Sequence, residues 1–183
     1  MIKKIKKIFQ KPNYATLDKA YLELDKAKIL RTNNLQKIPF LRNRKGGKVS
    51  YAEWAHVIGL FQSLFYFTLK KHENNNILDI GCGTGLLAMS SEPFISNGGK
   101  YLGTDVIESS IDFCKKNYTQ KNMFFEHFDI NNQRYAETQS KKLIPWDITS
   151  NNFDLVTALS VWTHLNEEDS IFYFKEIDRV LKK

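Results

Sequence analysis

The sequence predicts an α/β fold, a doubly wound parallel sheet with helices on both faces, and three observations carry that expectation. From residue 76 onward, short apolar runs of strand length alternate with stretches of helical periodicity. The segment "ILDIGCGTG" (77–85) places three alternate glycines directly after one such run and before a helix-like stretch. Acids recur along the same runs: Asp79 inside the first, Asp105 closing the second and Asp129 closing the third. Compact apolar strands separated by helices imply a parallel sheet covered on both sides.

Ahead of the alternation, "MIKKIKKIFQK" sets Ile2, Ile5, Ile8 and Phe9 at helical spacing among lysines, an amphipathic basic helix or a frayed terminus. Docking of this helix on a membrane surface is one reading, and packing on the domain is the plainer one. In "TLDKAYLELDKAKIL" (16–30), Leu17, Tyr21, Leu24, Ala27 and Ile29 or Leu30 predict a second helix. Pro39 and the Gly46-Gly47 pair then predict a loop. Ser50 with Glu53 three residues on forms a capping box, so "SYAEWAHVIGLFQSLFYFTLKK" reads as a long helix with a broad apolar face.

The alternating region follows. "ILDI" (77–80), "KYLGTDV" (100–106), "MFFEHFDI" (123–130) and "FDLVTALS" (153–160) read as strands, with "GLLAMSSEPFI" and "SSIDFCKKNY" as intervening helices. "EEDSIFYFKEIDRVLKK" closes as a helix whose expected apolar face is Ile171, Phe172, Phe174, Ile177, Val180 and Leu181. The organisation expected is a basic helical extension with its loop over residues 1–50 and a ligand-binding domain over 51–183.

Composition bounds the function. The chain has 183 residues, 42% of them hydrophobic, enough for one domain with a real core. Cys82 and Cys114 are too few for a disulfide framework, and their spacing matches no metal site, so no metal is expected and a reducing cytoplasm is. No apolar run approaches the ~20 residues of a membrane span, and the start lacks the apolar stretch of a secretory signal. The net charge of +7 is concentrated in residues 1–50, with 14 Lys and Arg against 3 acids, while the remainder holds 13 against 17. A basic front of this kind can meet phosphate or anionic lipid, yet in a Lys- and Asn-rich chain it reads as a solvated face, and nucleic acid is disfavoured.

The glycine loop narrows the ligand. A strand-to-helix turn without Cβ atoms lets the backbone approach a ligand closely, and the first helical amides attract an anionic group. The dinucleotide fingerprint needs glycine at its sixth position, where this chain has Leu86, and no Gly-Lys-Ser/Thr of a phosphate loop follows. Asp79 would repel a phosphate but would suit an ammonium. Asp105, 24 residues after Gly81, could accept both hydroxyls of a ribose, and Asp129 an adenine amino group. As plain structure, such acids would cap the following helices.

On "ILDIGCGTG", "YLGTDV" and "FDLVTALSVWTHL", the chain from about 75 to 183 resembles the class I S-adenosylmethionine-dependent methyltransferases. The resemblance implies a Rossmann-like sheet with S-adenosylmethionine as cofactor. Gly81, Cys82, Gly83 and Gly85 would hold its methionine end with Asp79 behind them, and Asp105 its ribose. Val106 would flank the adenine, Asp129 and the amide of Ile130 would meet its edge, and Ser160 would close the site from the fourth strand. "LIPWDITSNNFDLV" is similar to the family's lead into that strand.

The methyl acceptor is specified after the fourth strand in this family. Here the text is "ALSVWTHLNEE", without the Pro-Pro or Pro-Cys signatures of nucleic-acid methylases, which implies a small-molecule acceptor. His164 is the candidate base, because imidazole titrates near neutrality; otherwise it would cap the next helix and proximity alone would serve. Tyr51, Trp54 and Trp162 are candidates to line the acceptor pocket. Arg42, Arg44 and Lys45 could grip an anionic acceptor, or form a solvated loop.

A complete fold of this family carries three further strands after the helix that ends in "EIDRVLKK". The expectation is a truncated product or one piece of a split protein, with a second copy or a partner chain covering the apolar edge of the fourth strand. Two other functions stay open at this point: a degenerate, non-catalytic methyltransferase-like module, and a nicotinamide-dependent oxidoreductase, which Leu86 disfavours.

Overall fold

The computed structural model describes residues 37–45, 48–128 and 143–183. The two N-terminal helices expected within residues 1–36, Gly46, Gly47, Asp129 and Ile130 lie outside the described residues. The described chain forms α1 (Tyr51–Thr68), β1 (Asn76–Ile80), α2 (Leu86–Ser91), β2 (Lys100–Asp105), α3 (Glu108–Asn117), β3 (Met123–His127), β4 (Leu155–Thr157) and α4 (Glu167–Val180).

The four strands make one parallel sheet in the order β3-β2-β1-β4. Asp79 in β1 sits level with Gly103 in β2 and Thr157 in β4. Because side chains alternate across a strand, the sheet feeds two cores. Ile77, Tyr101, Met123 and Phe125 pack with Trp54, Ile58 and Phe65 of α1, Met89 of α2 and Ile111 of α3. Leu78, Ile80 and Val156 pack on the other face with Trp146, Phe153, Tyr173 and Val180. The doubly wound arrangement follows from this alternation.

Local chemistry explains the element boundaries. The Ser50 hydroxyl accepts the Glu53 amide at 3.0 Å while the Glu53 carboxylate accepts the Ser50 amide at 2.9 Å, so the expected capping box starts α1. Asn166 caps α4 by accepting the Asp169 amide at 2.8 Å. α2 ends after six residues and continues as a 3-10 turn over Glu92–Ile95, because Pro93 has no N–H for a helical bond.

The inward face of α4 differs from the expected one. Tyr173, Glu176 and Val180 are buried with Phe172 and Ile177 half-buried, whereas Ile171 and Phe174 are exposed and Phe174 stacks on Trp162 at 4.5 Å. An acid occupies the inner face because it is paired on every side: Glu176 accepts the Trp146 amide at 2.8 Å and two Arg179 nitrogens at 2.7 and 3.0 Å. β4 is also shorter than expected, three residues in place of eight. Phe153 instead bridges to Leu181, and Ser160 turns the chain at a positive φ of 61°.

Candidate functional site

The site is built on the turn between β1 and α2. Gly81, Gly83 and Gly85 have φ of 70°, 53° and 90°, a left-handed region in which a side chain is strained. Two of them are also sterically closed. A Cβ on Gly81 would lie 2.7 Å from Val161, and one on Gly85 would lie 2.3 Å from the Tyr118 ring.

Neighbouring elements hold this loop by its backbone. The Gly81 and Cys82 amides both donate to the Thr104 carbonyl, at 2.8 and 2.9 Å. Asp105 accepts the Gly83 amide at 2.7 Å on one carboxylate oxygen and the Ile107 amide at 2.8 Å on the other. The Gly83 carbonyl accepts the Cys114 thiol at 3.3 Å, and the Thr84 carbonyl accepts the Tyr118 hydroxyl at 2.9 Å. From the other side, the Thr84 hydroxyl donates to the Asn43 carbonyl at 2.6 Å, tying the loop to the segment that precedes α1.

Two cavities meet over the loop. The smaller, about 70 Å³, is lined by Asp79, Cys82, Trp54 and Leu87, with Lys45 and Lys48 among its walls. The larger, about 230 Å³, is lined by Asp105, Val106 and Ser110 on the β2 side. Trp146, Trp162, His164 and Tyr173 stand on its α4 side. Lys45, Gly81, Gly83, Leu159 and Ser160 line both, so the two form one bipartite cleft at the C-terminal ends of the strands, beside the point where the strand order reverses.

Burial sets the electrostatics. Asp79 is fully buried, and desolvation raises its pKa from 3.8 to about 7 against the opposing hydrogen bonds from Tyr101 (2.7 Å) and Thr157 (2.8 Å). Asp105 is also pushed up by burial, opposed by the Ile107 and Gly83 amides. The Cys82 thiol is raised well above its ordinary value by its hydrogen bond with Cys114 and by burial. Both cysteines are buried free thiols. Among the described residues no cluster of metal-ligating side chains occurs.

Most of the residues singled out in the sequence come together here. Asp79, Gly81, Cys82, Gly83, Asp105, Val106, Ser160, Trp54, Trp162 and His164 all line the cleft. Gly85 lies behind it against Tyr118. Tyr51 lines neither cavity: it is buried beneath the Arg44 guanidinium, 5.8 Å from its ring. Arg44 is likewise structural, donating to the carbonyls of Pro39 (2.8 Å) and Val49 (2.9 Å). Of the basic loop, Lys45 reaches the cleft, and so does Lys48, which the sequence reading passed over. Trp146, Tyr173 and Ser110 were also missed; they belong to helices or segments far from the glycine loop in sequence, and only the fold brings them to it.

The donor set fits an amino-acid–nucleoside conjugate. The small compartment pairs a buried acid with two lysines, suiting an ammonium and a carboxylate, and the large one joins a strand-end acid to apolar and aromatic walls, suiting a ribose and base. The fold and the cleft thus define the class I type of S-adenosylmethionine-binding domain.

Comparison with known proteins agrees. Residues 78–183 match the family model described as a methyltransferase domain, and the chain belongs to that family, that of S-adenosylmethionine-dependent methyltransferases. It is 29% identical over 114 residues to a ubiquinone biosynthesis O-methyltransferase of Pelagibacter ubique, covering 62% of this chain and 40% of that protein. The chain therefore spans less than half the length of that curated relative. Among solved structures, a proposed S-adenosyl-L-methionine-dependent methyltransferase of Methanococcus maripaludis superposes with a TM-score of 0.54 at 16% identity, over 95% of this chain and 62% of that one. The YcgJ protein of Bacillus subtilis superposes with a TM-score of 0.50 at 20% identity, over 70% and 47%. At these identities the two structures speak for the fold.

Proposed function

We propose that this domain transfers a methyl group from S-adenosylmethionine to a hydroxyl of a small-molecule acceptor in the cytoplasm. The observation that carries the reading is the bipartite cleft, whose two compartments differ in chemistry as the two ends of the cofactor do. When bound, the cofactor supplies an electrophilic methyl group on a sulfonium.

In this reading Asp79, ionised beside a ligand ammonium, holds the amino-acid end together with the Gly81–Gly83 backbone and Cys82, and Lys45 or Lys48 faces the carboxylate. Asp105 would keep its two amide bonds and accept ribose hydroxyls on its remaining lone pairs, and Val106, Asp129 and Ile130 would hold the base. Ser160 closes the cleft from the end of β4. The acceptor lies on the Trp162 and His164 side of the larger compartment, with Trp54 across the smaller one and Tyr51 in the first turn of Trp54's own helix. His164 would accept the proton of an acceptor hydroxyl held there, leaving S-adenosylhomocysteine and the methylated oxygen as products. The preference for a hydroxyl rests on the O-methyltransferase relative.

Calorimetric titration with S-adenosylmethionine, in parallel with NADH, tests the cofactor, and Asp105→Ala should abolish the signal. Methyl transfer to a panel of phenols and other small hydroxyl compounds tests the acceptor; binding without transfer to any of them would count against catalysis by this domain alone.

A further inference from the structure

The helix α1 is apolar on both sides. Its inner face carries Trp54, Ile58, Phe61 and Phe65 into the core. Its outer face carries Leu60 (48% exposed), Leu64 (48%) and Phe67 (84%), one above another at i, i+4 and i+7, headed by the half-buried Val57. The one charged residue between Tyr51 and Thr68 is Glu53, which the capping box uses. A surface helix turns charged side chains outward; one apolar all round belongs in an interior. Three stacked large side chains on an outer face mark a contact surface.

We propose that this stripe is the docking site for residues 16–30 of the same chain, packed as an amphipathic helix through Leu17, Tyr21, Leu24, Ala27 and Leu30. The chain arrives at the right place. Lys37 is held by Glu92 at 2.8 Å and Ile38 is buried in the core, and Phe94, two residues after Glu92, meets Phe65 of α1 edge-on at 5.8 Å. The described chain therefore begins beside the C-terminal half of α1. The six residues 31–36 can span up to ~20 Å when extended. A fifteen-residue helix is ~22 Å long, enough to cover the ~15 Å from Val57 to Phe67.

Other occupants fit less well. A membrane-surface helix carries Lys or Arg along its polar face, and α1 has none. A stable dimer buries about 800 Å² on each partner, far more than three side chains on one helix offer. Docking would also have a consequence at the cleft. Residues 37–45 pass Thr84 through Asn43 and Ser50 caps α1, so docking would anchor the upstream side of the segment that carries Lys45 and Lys48.

Limited trypsin digestion of the full chain reads this out, because Lys19, Lys26 and Lys28 lie within the segment. Wild type should resist cleavage at these lysines. Leu64→Glu, Phe67→Glu and Leu24→Glu should each accelerate it about tenfold or more, the effect of losing one large buried apolar side chain on a local opening equilibrium. Leu64 and Phe67 are exposed in the described residues, so their variants should keep the thermal midpoint of the core. Equal cleavage in wild type and variants would overturn the proposal. So would a concentration-dependent dimer by light scattering, or flotation with anionic phosphatidylserine vesicles, that Phe67→Glu removes.

Discussion

The Tyr101 hydroxyl donates to Asp79 across adjacent strands at 2.7 Å, and Thr157 donates to the other carboxylate oxygen at 2.8 Å from the opposite side. Both donors favour the ionised carboxylate, yet burial outweighs them and leaves its pKa at about 7. The folded chain therefore holds this proton up to neutrality, whereas the unfolded chain releases it near 3.8. Between those values the native state binds more protons, so this group's contribution to stability falls as pH rises from about 4 to about 7 and is level above. Asp79→Asn should remove that slope from denaturant midpoints measured against pH. Affinity for S-adenosylmethionine should run the other way, strengthening as pH rises through neutrality because an ionised Asp79 suits an ammonium, and the Asn variant should flatten it.

Asp105 joins the glycine loop to the end of β2 through the Gly83 and Ile107 amides. Asp105→Ala leaves both amides without their acceptor. A hydrogen bond to a charged group is worth about 1.5–3 kcal/mol, so the expected loss is about 2–4 kcal/mol in denaturant unfolding, together with cofactor binding. Asp105→Asn keeps one acceptor oxygen and should recover about half of the stability.

Gly85 is closed by conformation and by contact, with φ at 90° and the Tyr118 ring 2.3 Å from where a Cβ would stand. Gly85→Ala should cost about 3 kcal/mol or more, since overpacking and left-handed strain add. Tyr118→Phe keeps the ring but frees the Thr84 carbonyl, a loss of about 1 kcal/mol. The double variant Gly85→Ala, Tyr118→Ala should lose less than the sum of its two single variants if the ring is what clashes, which thermal unfolding of both singles and the double would show.

How far the sequence could be read follows from how local each feature is. The capping box at Ser50, the glycine turn and Asp105 at the end of β2 are set by neighbours within a few residues, and they stand where the pattern placed them. The inner face of α4 was misread because Glu176 is tolerated inside by Trp146 and Arg179, a partnership formed through the fold. The second apolar side of α1 was likewise not legible, since Leu60, Leu64 and Phe67 read together with Trp54, Ile58 and Phe65 as one broad apolar face. Lys48 reaches the cleft only because the segment before α1 folds back over Thr84. Tyr51 looked like Trp54 in the pattern, three residues apart on one face, but the Arg44 side chain covers it.

That same partnership in α4 holds the wall of the larger cavity. Arg179 donates to the carbonyls of Ile148 (2.7 Å) and Trp146 (3.0 Å) and to Glu176, which in turn accepts the Trp146 amide, so one ion pair fastens residues 146–148 to the helix. Trp146 is thereby pressed flat on Tyr173, with ring centroids 5.7 Å apart and planes within 7°, forming part of the wall of the larger cavity. The Arg179 guanidinium holds the Glu176 carboxyl below the usual carboxylate range, so the stability this group contributes is present above the unfolded value of 4.5 and lost as pH falls through the lower folded value. Arg179→Ala strips the donors from two carbonyls and leaves the buried Glu176 without its cation, for an expected loss of about 2–4 kcal/mol. Glu176→Gln keeps the Trp146 acceptor and should cost about 1–2 kcal/mol, less than Arg179→Ala. Tryptophan fluorescence and cofactor titration of the two variants separate fold from site: a red-shifted spectrum with weaker binding in Arg179→Ala is expected, and an unchanged spectrum would mean that Trp146 is held by its stack on Tyr173 alone.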